Sequence, residues 1–191
     1  MILDAWKDFS AGSRLQGYGL AETSVPRTDE ESVRGCRRLC EQNLCREYGT
    51  TWACPPGVGP ADACVKEIKR YSRAALITKR FEGIDTGDDD LTMKLGKDMQ
   101  DACRRFANFL RRRGFEVFPM ADVGCGFCAA CTYPGGPCRF PAQMVASRGG
   151  YGIIMDRYLS ENGMPFAFEK GAATFYGIIL YNPPRPPATG P

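Results

Sequence analysis

The sequence predicts an α+β fold: one mainly antiparallel sheet with packed helices and cysteine-rich metal-cluster loops. Three observations lead there. Helix-periodic and strand-like segments are mixed along the chain in an order that suits such a sheet. Two runs, AALITKRF (74–81) and ATFYGIILY (173–181), have strand composition, the second most strongly. Ten cysteines stand in 191 residues with no histidine, and nine of them fall into two groups, 36–64 and 125–138.

Residues 1–27 are mixed, with scattered glycine and serine, and read as a helix and a loop. Thr28 stands three residues before Glu31, a capping box that opens a helix through about Leu39. Val33, Cys36 and Cys40 fall on one face of it. Gly57, Gly59, Pro55, Pro56 and Pro60 mark a turn, and Pro60 suits the first position of a helix carrying Cys64, Ile68 and Tyr71. The strand 74–81 follows. Asp88, Asp89 and Asp90 then open a long amphipathic helix in which Met99, Cys103, Phe106 and Leu110 recur at helical spacing. It closes on Arg111, Arg112, Arg113 and Gly114, an acidic start and basic finish that suit the helix dipole. A short strand, 115–118, leads into the second cysteine group. Beyond it come a helix that Gly163 ends, a strand around 166–168, and the strand 173–181. Residues 1–181 read as a single metal-binding domain, followed by a proline-rich tail, NPPRPPATGP (182–191), that is extended or disordered.

The formal net charge of +3 is too mild for a nucleic-acid footprint. The N-terminus, MILDAWKDFS, has charges where a signal peptide needs an apolar run, and no stretch is long enough for a membrane span. A cytoplasmic protein is expected. Reducing cytosol disfavours structural disulfides, so ten cysteines point to metal or redox chemistry. The absence of histidine excludes Ser-His-Asp and Cys-His catalysis, mixed Cys/His zinc fingers, Rieske centres and histidine-ligated haem. Any metal must be held mainly by thiolates.

The second group, CGFCAACTYPGGPCRFP, has Cys125, Cys128 and Cys131 as C-x2-C-x2-C, with Cys138 after six more residues. Three thiolates at spacing three form a tripod that reaches three irons of a cubane, leaving the fourth iron to a more distant cysteine. Zinc sites usually recruit two separated C-x2–4-C pairs, so the uninterrupted triple favours an iron–sulfur cluster. Gly124, Gly126, Gly135 and Gly136 would let backbone N–H groups approach the sulfides and adopt unusual φ values. Six residues before the last cysteine, and CRFP rather than CP after it, set the motif apart from bacterial ferredoxins. A zinc-stapled loop is the alternative.

The first group, Cys36, Cys40, Cys45, Cys54 and Cys64, has irregular spacing, yet five cysteines within 29 residues are hard to explain as packing. Cys64 would sit near its helix's N-terminus, whose positive end lowers a thiol pKa. Cys36 and Cys40 share a helix face, so one can ligate while the other packs.

Together LCEQNLCREYGTTWACPPGVGPADAC, CGFCAACTYPGGPCRFP, GGYGIIMDRYLSENG and ATFYGIILY resemble domain-of-unknown-function family 2284, predicted metal-binding proteins with two cysteine motifs, over about residues 30–181. The resemblance implies metal binding and no settled reaction. By position it implies Cys40, Cys45, Cys54 and Cys64 as the upstream ligands and Cys125, Cys128, Cys131 and Cys138 as the downstream ones. It leaves the role of Cys36 open.

Several features have plainer readings. Cys103 lies on the apolar stripe of the long helix and reads as a small core hydrophobe. The RRRG run reads as a solvated helix end and the DDD run as its cap; no P-loop or G-x-G-x-x-G is present. Tyr48, Trp52 and Tyr133, between the cysteines, would exclude water. The leading expectation is an iron–sulfur protein with two [4Fe–4S] clusters, serving as an electron carrier or accessory redox subunit beside a redox partner protein. Eight thiolate ligands leave no open iron, which favours electron transfer over catalysis. The alternatives are a zinc-stabilised four-cysteine interaction module and an enzyme whose cluster iron meets substrate.

Overall fold

A computed structural model describes residues 1–13, 15–166 and 169–184. Five strands, β1 (Tyr18–Thr23), β2 (Arg73–Glu82), β3 (Glu116–Ala121), β4 (Ala146–Ser147) and β5 (Ala172–Asn182), form one sheet in the order β1-β2-β5-β3-β4. All neighbours are antiparallel except β3 and β4. Helices α1 (Ile2–Ala11), α2 (Glu30–Cys40), α3 (Ala61–Lys69), α4 (Asp89–Arg111) and α5 (Met155–Glu161) pack on it. The fold is α+β, as the sequence predicts.

The strand alternation decides which helices go where. Ala75 and Ile77 of β2 and Ile179 and Tyr181 of β5 join one core with Trp6 and Phe9 of α1 and Met99, Cys103, Phe106 and Leu110 of α4. Ala74, Leu76, Ile178 and Leu180 face the other way, toward Val33 of α2, Cys64, Val65 and Ile68 of α3, and Tyr158 and Leu159 of α5. Cys103 is fully buried, as a core hydrophobe should be. A side chain at Gly177 of β5 would collide with the Cys103 sulfur, so this glycine sets how closely α4 lies on the sheet.

The helix ends mostly follow the sequence, with two shifts. The Asp88 side chain caps α4 by accepting from the Leu91 N–H at 2.9 Å. The cap of α2 is Asp29, not Thr28: Asp29 Oδ1 accepts from Ser32 N–H at 2.7 Å. The Thr28 hydroxyl donates instead to the Tyr151 carbonyl at 2.9 Å, a tertiary partner that outcompetes the local cap. Pro60 is the N-cap of α3 rather than its first residue. The loop expected after α1 contains β1, whose short run is paired by β2. Residues 167 and 168 of the expected strand at 166–168, and residues 185–191 of the tail, lie outside the described residues.

Candidate metal centre

Between β3 and β4 the chain runs from Asp122 to Phe140 without helix or strand, and this segment carries the second cysteine group. Its backbone is held by α4. Along one side of that helix, Lys97, Gln100, Arg104, Asn108 and Arg111 recur at spacings of three and four, which puts them on one face. Lys97 Nζ donates to the Gly124 carbonyl at 2.7 Å, and Gln100 Nε2 to the carbonyls of Asp122 and Val123, both at 2.9 Å. Arg104 Nε donates to the Gln143 carbonyl at 2.8 Å, and Arg111 Nη1 to that of Ala142 at 2.6 Å. The loop lacks a ladder of its own, so the bonds from Lys97 and Gln100 supply partners for its carbonyls, and those from Arg104 and Arg111 hold the 3-10 turn at Pro141–Gln143 that follows it.

The loop so held brings Cys125, Cys128, Cys131 and Cys138 to one apolar cavity, which Trp52, Ala53, Phe127, Phe140 and Met144 complete. Phe127 and Phe140 meet edge to face at 5.3 Å on its outer side. Trp52 meets Tyr133 edge to face at 4.9 Å, and its indole N–H donates to the Gly136 carbonyl at 3.0 Å. Of the three aromatics expected to exclude water, Trp52 lines the cavity and Tyr133 packs on Trp52, whereas Tyr48 is not among the lining residues.

The glycines act differently from expectation. Gly124, Gly126, Gly135 and Gly136 do not have positive φ; the left-handed residue here is Val123, at φ 56°. What Gly124 and Gly126 provide is room. A side chain at Gly124 would collide with the Glu47 carboxylate, and a Cβ at Gly126 would lie 2.9 Å from Lys97 Cδ.

The first group is built from several elements. Cys36 and Cys40 are half-buried on the last turns of α2, Cys45 is exposed in the following turn, Cys54 is buried in a turn, and Cys64 is buried in α3. Burial pushes the Cys40 thiol up, and the nearby Cys45 and Cys36 thiols add to it. Burial also pushes the Cys54 thiol up to about 12, with Glu47 and Cys45 adding and the Thr51 and Ser147 hydroxyls opposing. Cys64 has other company. Arg37 Nη2 donates to its sulfur at 3.2 Å while Arg37 also donates to the Gly150 carbonyl, and the thiol donates to the Val58 carbonyl at 3.5 Å. The lowering expected at the start of α3 is overridden: burial raises the Cys64 pKa even with Arg37 beside it.

The two groups lie against each other. Ala53, next to Cys54, lines the second group's cavity, and its carbonyl accepts from the Ser147 N–H at 2.8 Å. Glu47, between Cys45 and Cys54 in sequence, pairs with Lys97 at 2.5 Å. The Glu47 and Lys97 side chains are 14% and 34% exposed, so this pair spans the seam in a mostly dry place. Sequence reading missed Glu47, Lys97 and Arg104. The available signal was the second, polar stripe of α4, at the same spacing as its apolar one.

The donor set suits a thiolate-bound metal group, since each region supplies four or more thiols. The space is small: the second cavity measures about 20 Å³, room for little more than one water. Among the described residues, no three Cys, Asp or Glu side chains converge closely enough to hold an ion. Either group would therefore bind after local adjustment of its loop. Also among the described residues, no helix is long and apolar enough to cross a membrane.

Searches among curated proteins and among solved structures returned no match. The model of one family, described as predicted metal-binding protein (DUF2284), matches residues 29–181. That span includes α2 through most of β5 and both cysteine groups, and the chain therefore belongs to this family of predicted metal-binding proteins.

Proposed function

We propose that the chain is an iron–sulfur protein that binds two [4Fe–4S] clusters and works as an electron carrier or accessory redox subunit for a partner protein. The observation that supports the reading is that all four cysteines of the C-x2-C-x2-C…C run line one apolar cavity. Cys125, Cys128, Cys131 and Cys138 would hold one cluster. Cys40, Cys45, Cys54 and Cys64 would hold the other, with Cys36, on the same face of α2, as the competitor of Cys40.

When bound, such a cluster stores and releases one electron at a time. The protein's own contribution is its surroundings. Trp52, with Tyr133 packed on it, and the half-exposed Phe127 and Phe140 would shield the sulfurs in part and lower the local dielectric, while Cys131 stays exposed. Contact between the two groups through Ala53 and the Glu47–Lys97 pair would suit passage of an electron from one site to the other.

The narrowness of the second cavity favours a second reading, a single zinc ion as a structural staple. One measurement separates the two. Protein purified without oxygen should contain about eight irons and eight sulfides per chain, with broad visible absorption bleached by dithionite. Stoichiometric zinc without sulfide, and failure of iron reconstitution, would replace the iron–sulfur reading with the staple.

A further inference from the structure

Of the five polar residues that α4 turns toward the second cysteine loop, one reaches a sulfur. The Arg104 side chain is only 7% exposed, and its Nη2 donates toward Cys125 Sγ at 3.9 Å. Three other contacts fix it there. Nε donates to the Gln143 carbonyl at 2.8 Å, Nη1 pairs with Asp101 at 3.2 Å, and the guanidinium stands 5.2 Å from the centre of the Phe127 ring. Asp101 compensates poorly: its side chain is 56% exposed and it also pairs with Arg105 at 3.9 Å. The segment 125–140 contains no acidic residue, and its one charged side chain is Arg139. A guanidinium stays protonated throughout the physiological range. The second group therefore has a fixed, largely desolvated positive charge against one of its thiols, where Coulomb interactions are weakly screened.

Resting on the iron–sulfur reading above, we propose that Arg104 is a positioning residue that sets the reduction potential of the second-group cluster. Reduction adds one electron and no proton at this residue. A positive charge and an N–H···S hydrogen bond both favour the more negative, reduced form, so Arg104 raises the potential. Arg37 stands in the corresponding relation to Cys64 in the first group, and the two potentials are therefore set by different residues.

The test is anaerobic spectroelectrochemical titration of the reconstituted full chain, with iron and sulfide measured on each sample. In Arg104→Met one of the two potentials should fall by about a tenfold change in the reduction equilibrium, ~59 mV for one electron, while the other stays in place. Arg104→Lys should recover part of the shift. Asp101→Asn, which strips the counter-charge, should move the same potential the other way by a smaller amount. A loaded Arg104→Met protein with both potentials unchanged, or both moved equally, would overturn the proposal while leaving the clusters established. Should Arg104→Met fail to load, unchanged potentials in Arg104→Lys and Asp101→Asn would overturn it instead. Wild-type protein with no iron or sulfide after reconstitution would end the parent reading and this one together.

Discussion

The two cysteine groups solve one problem in opposite ways. The second is local: four thiols within 14 residues of irregular chain, brought to one cavity by a loop whose backbone is fastened to α4. The first is distributed: five thiols supplied by the end of α2, two turns and the body of α3, with Cys64 inside the second hydrophobic core. A local site can be read from spacing because the chain between ligands is too short to place them elsewhere. A distributed site is placed by packing, so its spacings need follow no metal's geometry. The same contrast explains the thiols' chemistry. Burial in the core raises Cys54 and Cys64, so these must lose protons to ligate and their metal affinity should fall as pH is lowered.

The comparison can be broken most severely at the ligands. Cys128→Ser removes the middle leg of the tripod and should abolish loading of the second site, about half of the total iron or zinc, whereas Cys36→Ser and Cys40→Ser should differ from each other, since one can ligate while the other packs. Metal content with the visible spectrum reads all three. Equal retention of metal in every variant would remove the distinction between a local and a distributed site.

Next in size is Gly152→Ala. Gly152 sits at φ +76° with the position of a Cβ only 2.6 Å from Val33 N, so a methyl group meets the backbone of α2. A loss of about 3 kcal/mol or more is expected, a fall in Tm of roughly 6–12 °C. Loading of the first group should suffer before that of the second, because α2 is the element displaced.

Gly124→Ala attacks the seam. Its methyl group would occupy the place of the Glu47 carboxylate and separate Glu47 from Lys97, at a cost of about 2 kcal/mol by overpacking. Denaturant unfolding measures the cost. If each group loads independently of the seam, metal content will be unchanged; if the two are coupled, both will load less well. The smallest effect is expected from Trp52→Phe, which keeps a ring against Tyr133 and loses the indole bond to the Gly136 carbonyl, about 1 kcal/mol. Slower loading of the second group with the first untouched would show that this bond belongs to one site.

Much of this protein was legible before its tertiary structure. The apolar stripe Met99, Cys103, Phe106 and Leu110 determined the buried face of α4, because helical period alone aligns those positions. The runs around 74–81 and 173–181 became the two central neighbours β2 and β5, since strand composition and alternation are local properties. Cys125, Cys128 and Cys131 were legible as a unit for the same reason of short range. Tertiary structure decided the rest. Thr28 looked like a cap until a carbonyl 123 residues away became its partner. The glycines around the second motif looked like turn formers, and Gly124 and Gly126 prove to leave space for Glu47 and Lys97. β1 is a strand because β2 pairs with it. The meeting of the two cysteine groups rests on Glu47 with Lys97 and Trp52 with Gly136, pairs separated by 50 and 84 residues. Periodicity and spacing report what neighbouring residues must do, whereas contacts of that separation exist only once the sheet and α4 have fixed where both segments lie.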